Sequence, residues 1–149
     1  MKEFLLERSV WVPRPIDEVF PFFATAENLG QITPPELGFH IDSPTPIAMR
    51  SGAVIDYTIR LYRIPMKWRT GITKWNPPFS FEDTQLHGPY AKWVHTHRFT
   101  GHNGGTTIHD RVEYALPFGP LGLVATPLVR RQLDKIFDYR TEVMLSRFR

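Results

Sequence analysis

Between Ile55 and Leu116 the chain alternates bulky apolar with polar side chains in five successive runs, each ending in a turn signal. Ile55, Tyr57, Ile59 and Leu61 form the first run, and Trp68, Thr70 and Ile72 the second. Phe79, Phe81 and Asp83 follow, then Ala91, Trp93, His95, His97 and Phe99, then Ile108, Asp110, Val112, Tyr114 and Leu116. Ile64-Pro65, Asn76-Pro77-Pro78, Gly88-Pro89 and Gly101–Gly105 separate them. A period of two puts each set on one face of a strand, so the pattern predicts an antiparallel meander with one packed face and one wet face. Arg60, Arg69, Glu82, Lys92, Arg98, Arg111 and Glu113 occupy the alternate positions and are expected on the exposed convex side, where mixed charge discourages edge pairing.

The flanks change character. Residues 3–12 read as a strand around Val10-Trp11-Val12, broken by Pro13-Arg14-Pro15. Ile16, Val19, Phe20 and Phe23 then follow the spacing of one helical face, with Asp17 and Glu18 suited to a helix N-terminus and Pro21 expected to kink it. A second short helix is expected from Ala26 to Ile32, ending before Pro34-Pro35, and a short strand around Phe39–Asp42. At the C-terminal end Leu121, Val124, Leu128, Val129, Leu133, Ile136, Phe137, Val143 and Met144 form a helical stripe. This helix either starts near Pro120 and kinks at Pro127, or starts at Pro127 with Thr126 as its cap. Its apolar stripe needs a surface, and the inner face of the meander is the only large one. The expected fold class is therefore α+β: a curved antiparallel sheet of about six or seven strands around a long C-terminal helix, with two short helices after the first strand.

A length of 149 residues fits one domain over residues 1–149, and 42% hydrophobic content supplies a core. The net charge is only +3 and no dense basic block is interleaved with aromatics, so no nucleic-acid partner is expected. The absence of cysteine excludes disulfides, thiolate catalysis and Cys-ligated zinc. No apolar run is long enough for a transmembrane span or a signal peptide, and a cytoplasmic location is the default expectation.

Several segments give this order of elements a familiar look. They are Pro13–Phe20, Leu29–Pro34, Ile72–Pro78, Phe81–Gln85, Gly88–Phe99 and Asp110–Tyr114. The chain resembles the START-like, Bet v 1-type helix-grip superfamily (SRPBCC). Within it the chain is most similar to the bacterial polyketide cyclase/dehydrase and coenzyme Q-binding group. The resemblance spans nearly the whole chain and implies a cavity between the sheet and the last helix. It does not choose a function, because such proteins bind lipids, hormones, quinones or polyketides and a few are enzymes.

Trp93-x-His95-x-His97-x-Phe99 turns two histidines toward an apolar interior. One hairpin register sets His97 opposite Asp110 and Trp93 opposite Tyr114, and a slip of two residues sets His95 opposite Asp110 instead. Either way a carboxylate stands beside an imidazole. The pair is a satisfied buried pair, a contact for a ligand oxygen, or a carboxylate-oriented general base. No Ser or Cys is placed beside it, so a hydrolase triad is not supported. His95, His97 and Asp110 could hold zinc, but no fourth ligand is evident, and neither a metal nor a cofactor is expected. Asp83 and Gln85 continue the Phe81 face and either approach the cavity or lie where the strand reaches solvent. Gly101–Gly105 is a hairpin loop rather than a phosphate loop, since no helix follows it.

The expected partner is a small hydrophobic molecule, carried or sensed in a pocket contributed by Tyr57, Trp68, Phe81, Trp93, His95, His97, Asp110 and Tyr114. One alternative is a polyketide aromatase/cyclase or dehydratase with His95, His97 and Asp110 as catalytic candidates and Tyr114 as a further acid/base group. Another is an interaction module whose pocket is vestigial. The sequence names no partner protein.

Overall fold

The computed structural model describes residues 1–149. Strand β1 (Phe4–Val12) leads to helix α1 (Ile16–Phe23), a 3-10 helix over Ala26–Ile32 and a single 3-10 turn at Pro35–Leu37. Strands β2 (His40–Ile41), β3 (Val54–Leu61), β4 (Ile64–Asn76), β5 (Ser80–His87), β6 (Lys92–His102) and β7 (Gly105–Ala115) follow. Helices α2 (Gly119–Val124) and α3 (Thr126–Arg147) come last. The strands form one antiparallel sheet in the order β1-β7-β6-β5-β4-β3-β2. Five consecutive hairpin partners make the meander, and β1 returns to pair with β7 at one edge.

Local chemistry accounts for the turns. Asn103 (φ 47°) and Gly104 (φ 76°) both sit in the left-handed region, which is what a two-residue turn matched to strand twist requires. The turn fixes the register His102↔Gly105 and hence His97↔Asp110 and Trp93↔Tyr114. Gly105 has no room for a side chain, because a Cβ there would collide with the Val12 carbonyl of β1. Between β4 and β5 the register shifts at Arg69/Thr70 and again at Ile72/Lys74. Such irregularities bend a strand and increase its twist, and they lie beside Thr70 and Ile72, which line a cavity on the concave face.

Helix α3 crosses the concave face. Leu133, Phe137, Arg140 and Met144 are its buried residues and recur at helical spacing. At one end Met144 and Phe148 pack with Val19, Phe20, Phe22 and Phe23 of α1 and with Phe99 and Ile108 of the sheet. At the other, Leu133 and Phe137 pack against Leu6, Val112 and Tyr114. Burying each such side chain contributes roughly 1.5–3 kcal/mol. Arg8 of β1 also holds the helix, with Nη1 2.6 Å from Asp138 and Nη2 3.0 Å from Asp134. The backbone of α3 approaches the 26–32 turn and β1 rather than the central strands. That spacing leaves volume above β4, β5 and β6. No helix is long and apolar enough to cross a membrane.

Three expectations need correction. The C-terminal stripe is broken at Ala125, and Leu121, Val124 and Leu128 are exposed rather than packed on the sheet. Two helices replace one, so the apolar residues of α2 are not in phase with the buried stripe of α3. Pro127 lies in the first turn of α3, but Thr126 makes no capping bond and its hydroxyl has no partner. On the convex face Arg60, Arg69, Arg98 and Arg111 are exposed, whereas Lys92, Glu113 and Glu82 are partly covered. Lys92 pairs with Glu3 and Glu113, and Glu82 accepts from Thr73 at 2.7 Å, so cross-strand partners shield these groups. Finally, Phe79 precedes β5 and is exposed, because the inward alternation begins at Phe81.

Candidate functional site

A cavity of about 170 Å³ lies between the concave face and α3. Tyr57, Trp68, Phe81, Trp93, His95 and His97 are on its wall, together with Asp83, Tyr90, Leu133, Ile136, Phe137 and Arg140. Trp68 stacks on Tyr57 at 5.7 Å and meets Trp93 edge-on at 5.4 Å, so the β3–β4 side is an aromatic wall. Phe81 stacks on His97 at 4.1 Å, and the His97 ring stacks on His95 at 3.7 Å.

The polar end of the wall is a crossed arrangement of two histidines and two aspartates. Backbone register puts His97 opposite Asp110 and His95 opposite Asp83. The hydrogen bonds run along the diagonals instead: His95 Nε2 lies 2.8 Å from Asp110 Oδ1, and His97 Nε2 lies 2.6 Å from Asp83 Oδ2. Arg140 enters from α3 and donates from Nη2 to Asp110 Oδ1 at 3.2 Å and to His97 Nδ1 at 3.3 Å.

These contacts fix protonation. Burial alone would raise Asp110, but the Arg140 guanidinium and the His95 hydrogen bond outweigh it and hold the carboxyl well below its usual range. Burial likewise opposes ionisation of Asp83, and the His97 hydrogen bond with the neighbouring positive groups lowers it nonetheless. Burial, then the nearby His95, pulls His97 down to about 4, although Asp83 acts in the opposite sense. An ionised carboxylate only accepts and a guanidinium only donates. His97 therefore carries its proton on Nε2 for Asp83 and accepts at Nδ1 from Arg140. His95 must carry a proton on Nε2 for Asp110, and its Nδ1, 4.0 Å from Asp83 Oδ2, makes no hydrogen bond within the protein.

Two buried donors on the cavity wall lack partners: Trp68 Nε1 and Arg140 Nε. A buried polar group without a partner carries a desolvation cost of about 1–3 kcal/mol. Tyr57 and Tyr90, also on the wall, have phenols that burial pushes up, Tyr57 well above the ordinary value.

The sequence model for polyketide cyclases, dehydrases and lipid transport matches residues 12–138, most of the chain. The chain belongs to this family. Similar solved structures agree on the fold. The Zhui aromatase/cyclase from Streptomyces sp. R1128 superposes with a TM-score of 0.78 at 13% identity, covering 98% of this chain and 93% of that one. A START superfamily protein from Mycobacterium smegmatis gives 0.72 at 11% identity, covering 97% and 96%. Major latex-like protein 151 from Panax ginseng gives 0.67 at 11% identity, covering 98% and 97%. No curated protein sequence matches the chain. The helix-grip fold of the polyketide cyclase/dehydrase family generally binds small hydrophobic ligands, which agrees with an aromatic-walled cavity here.

Asp110 and Tyr114 are not on the wall of this family member's cavity. Asp110 is buried behind the imidazoles it orients. Tyr114 packs among Leu6, Val112, Leu133 and Phe137, with its hydroxyl unpartnered. Its ring stacks on Phe4 at 5.5 Å, on the β1 side of the sheet. Asp83 takes a full part in the polar cluster and does not lie where β5 meets solvent, because β4 and β6 flank it on both sides. Gln85 closes the β5–β6 turn through Tyr90 instead. Arg140 lies in the buried stripe of α3, where apolar periodicity does not point to a charged residue. Its place seven residues after Leu133 and three after Phe137 was the available signal.

Proposed function

We propose that this chain binds, as a carrier or sensor, a small ring-containing molecule with a largely apolar body and a hydrogen-bond acceptor. The observation that carries the reading is the Trp68 indole N–H, buried on the wall of an aromatic cavity without a partner. A small turn of the Trp68 ring would bring this N–H to an acceptor oxygen on the ligand, and the apolar walls would supply most of the affinity by burial. The volume of about 170 Å³ sets the size. It is below the roughly 300–1,000 Å³ of drug-sized pockets and near the about 150 Å³ that admits a benzene ring. One or two fused rings fit inside, whereas a long acyl or polyketide chain would extend beyond this volume.

A small aromatic ketone or quinone series, titrated by tryptophan fluorescence with native mass spectrometry for stoichiometry, tests this reading. Saturable one-to-one binding is expected, with Trp68→Phe lowering affinity about 2- to 10-fold, the worth of one hydrogen bond. Absence of binding across the series overturns it.

A second reading has its own support. His95 is oriented through Nε2 by an ionised Asp110 while Nδ1 makes no protein hydrogen bond, which suits a general base at the wall. The Zhui aromatase/cyclase shares the fold. Turnover of a linear poly-ketone surrogate, abolished in His95→Gln with binding retained, would favour this cyclase-type chemistry. Binding without turnover favours the carrier.

A further inference from the structure

We propose that Asp83, His95 and His97 form a binding site for a divalent first-row transition ion of the zinc type. The three residues each present one ligand atom, and these atoms lie within 4.8 Å of one another. Asp83 Oδ2 is 2.6 Å from His97 Nε2 and 4.0 Å from His95 Nδ1. A tetrahedral ion with bonds of roughly 2.0–2.1 Å needs ligand atoms about 3.3 Å apart. The separations are within reach of that geometry, and because the His95 and His97 rings are stacked at 3.7 Å, the rings must also rotate to aim both nitrogens at one ion.

Three independent features suit an ion. First, all three residues are on the cavity wall, so the remaining coordination positions open toward space that an oxygen ligand can enter. Second, His95 is bonded through Nε2 to Asp110 at 2.8 Å, which leaves Nδ1 for the metal. A carboxylate on the far nitrogen of a metal-ligating imidazole fixes the tautomer and ring orientation. Third, the buried cluster holds two carboxylates, Asp83 on His97 and Asp110 on Arg140, and a single guanidinium. A cation offsets that anionic excess.

Binding also requires a proton shift. The ion takes the place of the His97 Nε2 proton, which moves to Nδ1, so His97 stays a neutral ligand. Arg140 then gives up its 3.3 Å contact with His97 Nδ1 and keeps Asp110 at 3.2 Å. The guanidinium charge weakens the site without blocking it. The pair of imidazoles with one carboxylate matches the ligand types that zinc and ferrous iron accept.

The test uses the full untagged chain, freed of metal by a chelator and without any organic ligand, so it stands apart from the ligand-binding reading. Zinc is titrated by calorimetry and cobalt(II) by its visible absorption. One equivalent is expected to bind with a micromolar or tighter dissociation constant. Asp83→Asn, which removes a ligand, should weaken it more than Asp110→Asn, which removes only the orienting group and lowers affinity roughly 10–100-fold. His40→Ala, on the surface, should leave it unchanged. X-ray absorption of the zinc-loaded wild type needs no variant to fold and should report two imidazoles in the first shell. No binding, binding unaffected by Asp83→Asn in a folded variant, or a first shell without two imidazoles would each overturn the proposal.

Discussion

Arg140 of α3 donates from Nη2 to Asp110 of β7 at 3.2 Å, and both side chains are buried. The guanidinium also stands 5.3 Å from the Phe23 ring and 5.9 Å from the Phe137 ring. A charge in the middle of the helix stripe is tolerated because a carboxylate from the sheet meets it and two aromatic faces flank it. This pair ties the only long helix to the polar end of the cavity.

Removing one partner leaves the other buried and partly uncompensated. Arg140→Met is expected to destabilise the fold by about 3 kcal/mol. In the double variant Asp110→Leu/Arg140→Met the loss should fall short of the sum of the single losses by about 1–3 kcal/mol. Urea unfolding of the four proteins measures this coupling. Strict additivity would mean the two groups do not interact.

Much of the fold was legible in the chain. Strict alternation from Ile55 to Tyr114 put the inner face where it stands, whereas it left two β6–β7 registers open, and the left-handed turn at Asn103-Gly104 selects the one with His97 opposite Asp110. Register alone did not name the hydrogen-bond partners. His97 is opposite Asp110 in the ladder yet bonds Asp83, because side chains on a twisted sheet reach diagonally as readily as straight across. Apolar periodicity does not point to Arg140, a charge within the stripe, and of the two starts left open for the long helix the structure takes the one at Thr126-Pro127, after a break at Ala125. The wall residues were readable from pleat direction, whereas Asp110 and Tyr114 share that direction but are covered by imidazoles and by α3.

Burial holds the Tyr57 and Tyr90 phenols protonated past their ordinary range. Their folded values lie above the unfolded value of about 10, so the stability they contribute is complete below about pH 10 and is lost as pH rises above it. In an alkaline titration followed by tyrosinate absorbance, Tyr57 and Tyr90 should ionise only together with unfolding. Tyr57→Phe should flatten the alkaline fall in stability. Five phenols ionising together near pH 10 in the folded protein would contradict the burial (pH about 10 being the ordinary tyrosine value).

Leu133 projects from α3 onto the cavity wall and is almost fully buried. Leu133→Ala should cost about 2–5 kcal/mol and enlarge the cavity. Ligand preference should move toward larger rings, with three-ring aromatics gaining affinity relative to two-ring ones. Thermal unfolding with and without each ligand measures both effects. An unchanged size preference would mean that ligands do not bind against α3.

The most direct measurement follows the Trp68 indole N–H resonance, assigned by its disappearance in Trp68→Phe, while naphthoquinone and then naphthalene are titrated into the protein. An acceptor-bearing ring in this cavity should move that resonance downfield and saturate it at one equivalent, and naphthalene, which has no acceptor, should bind more weakly without the downfield shift. A Trp68 signal indifferent to both ligands, or moved equally by both, would contradict a cavity built to receive an acceptor.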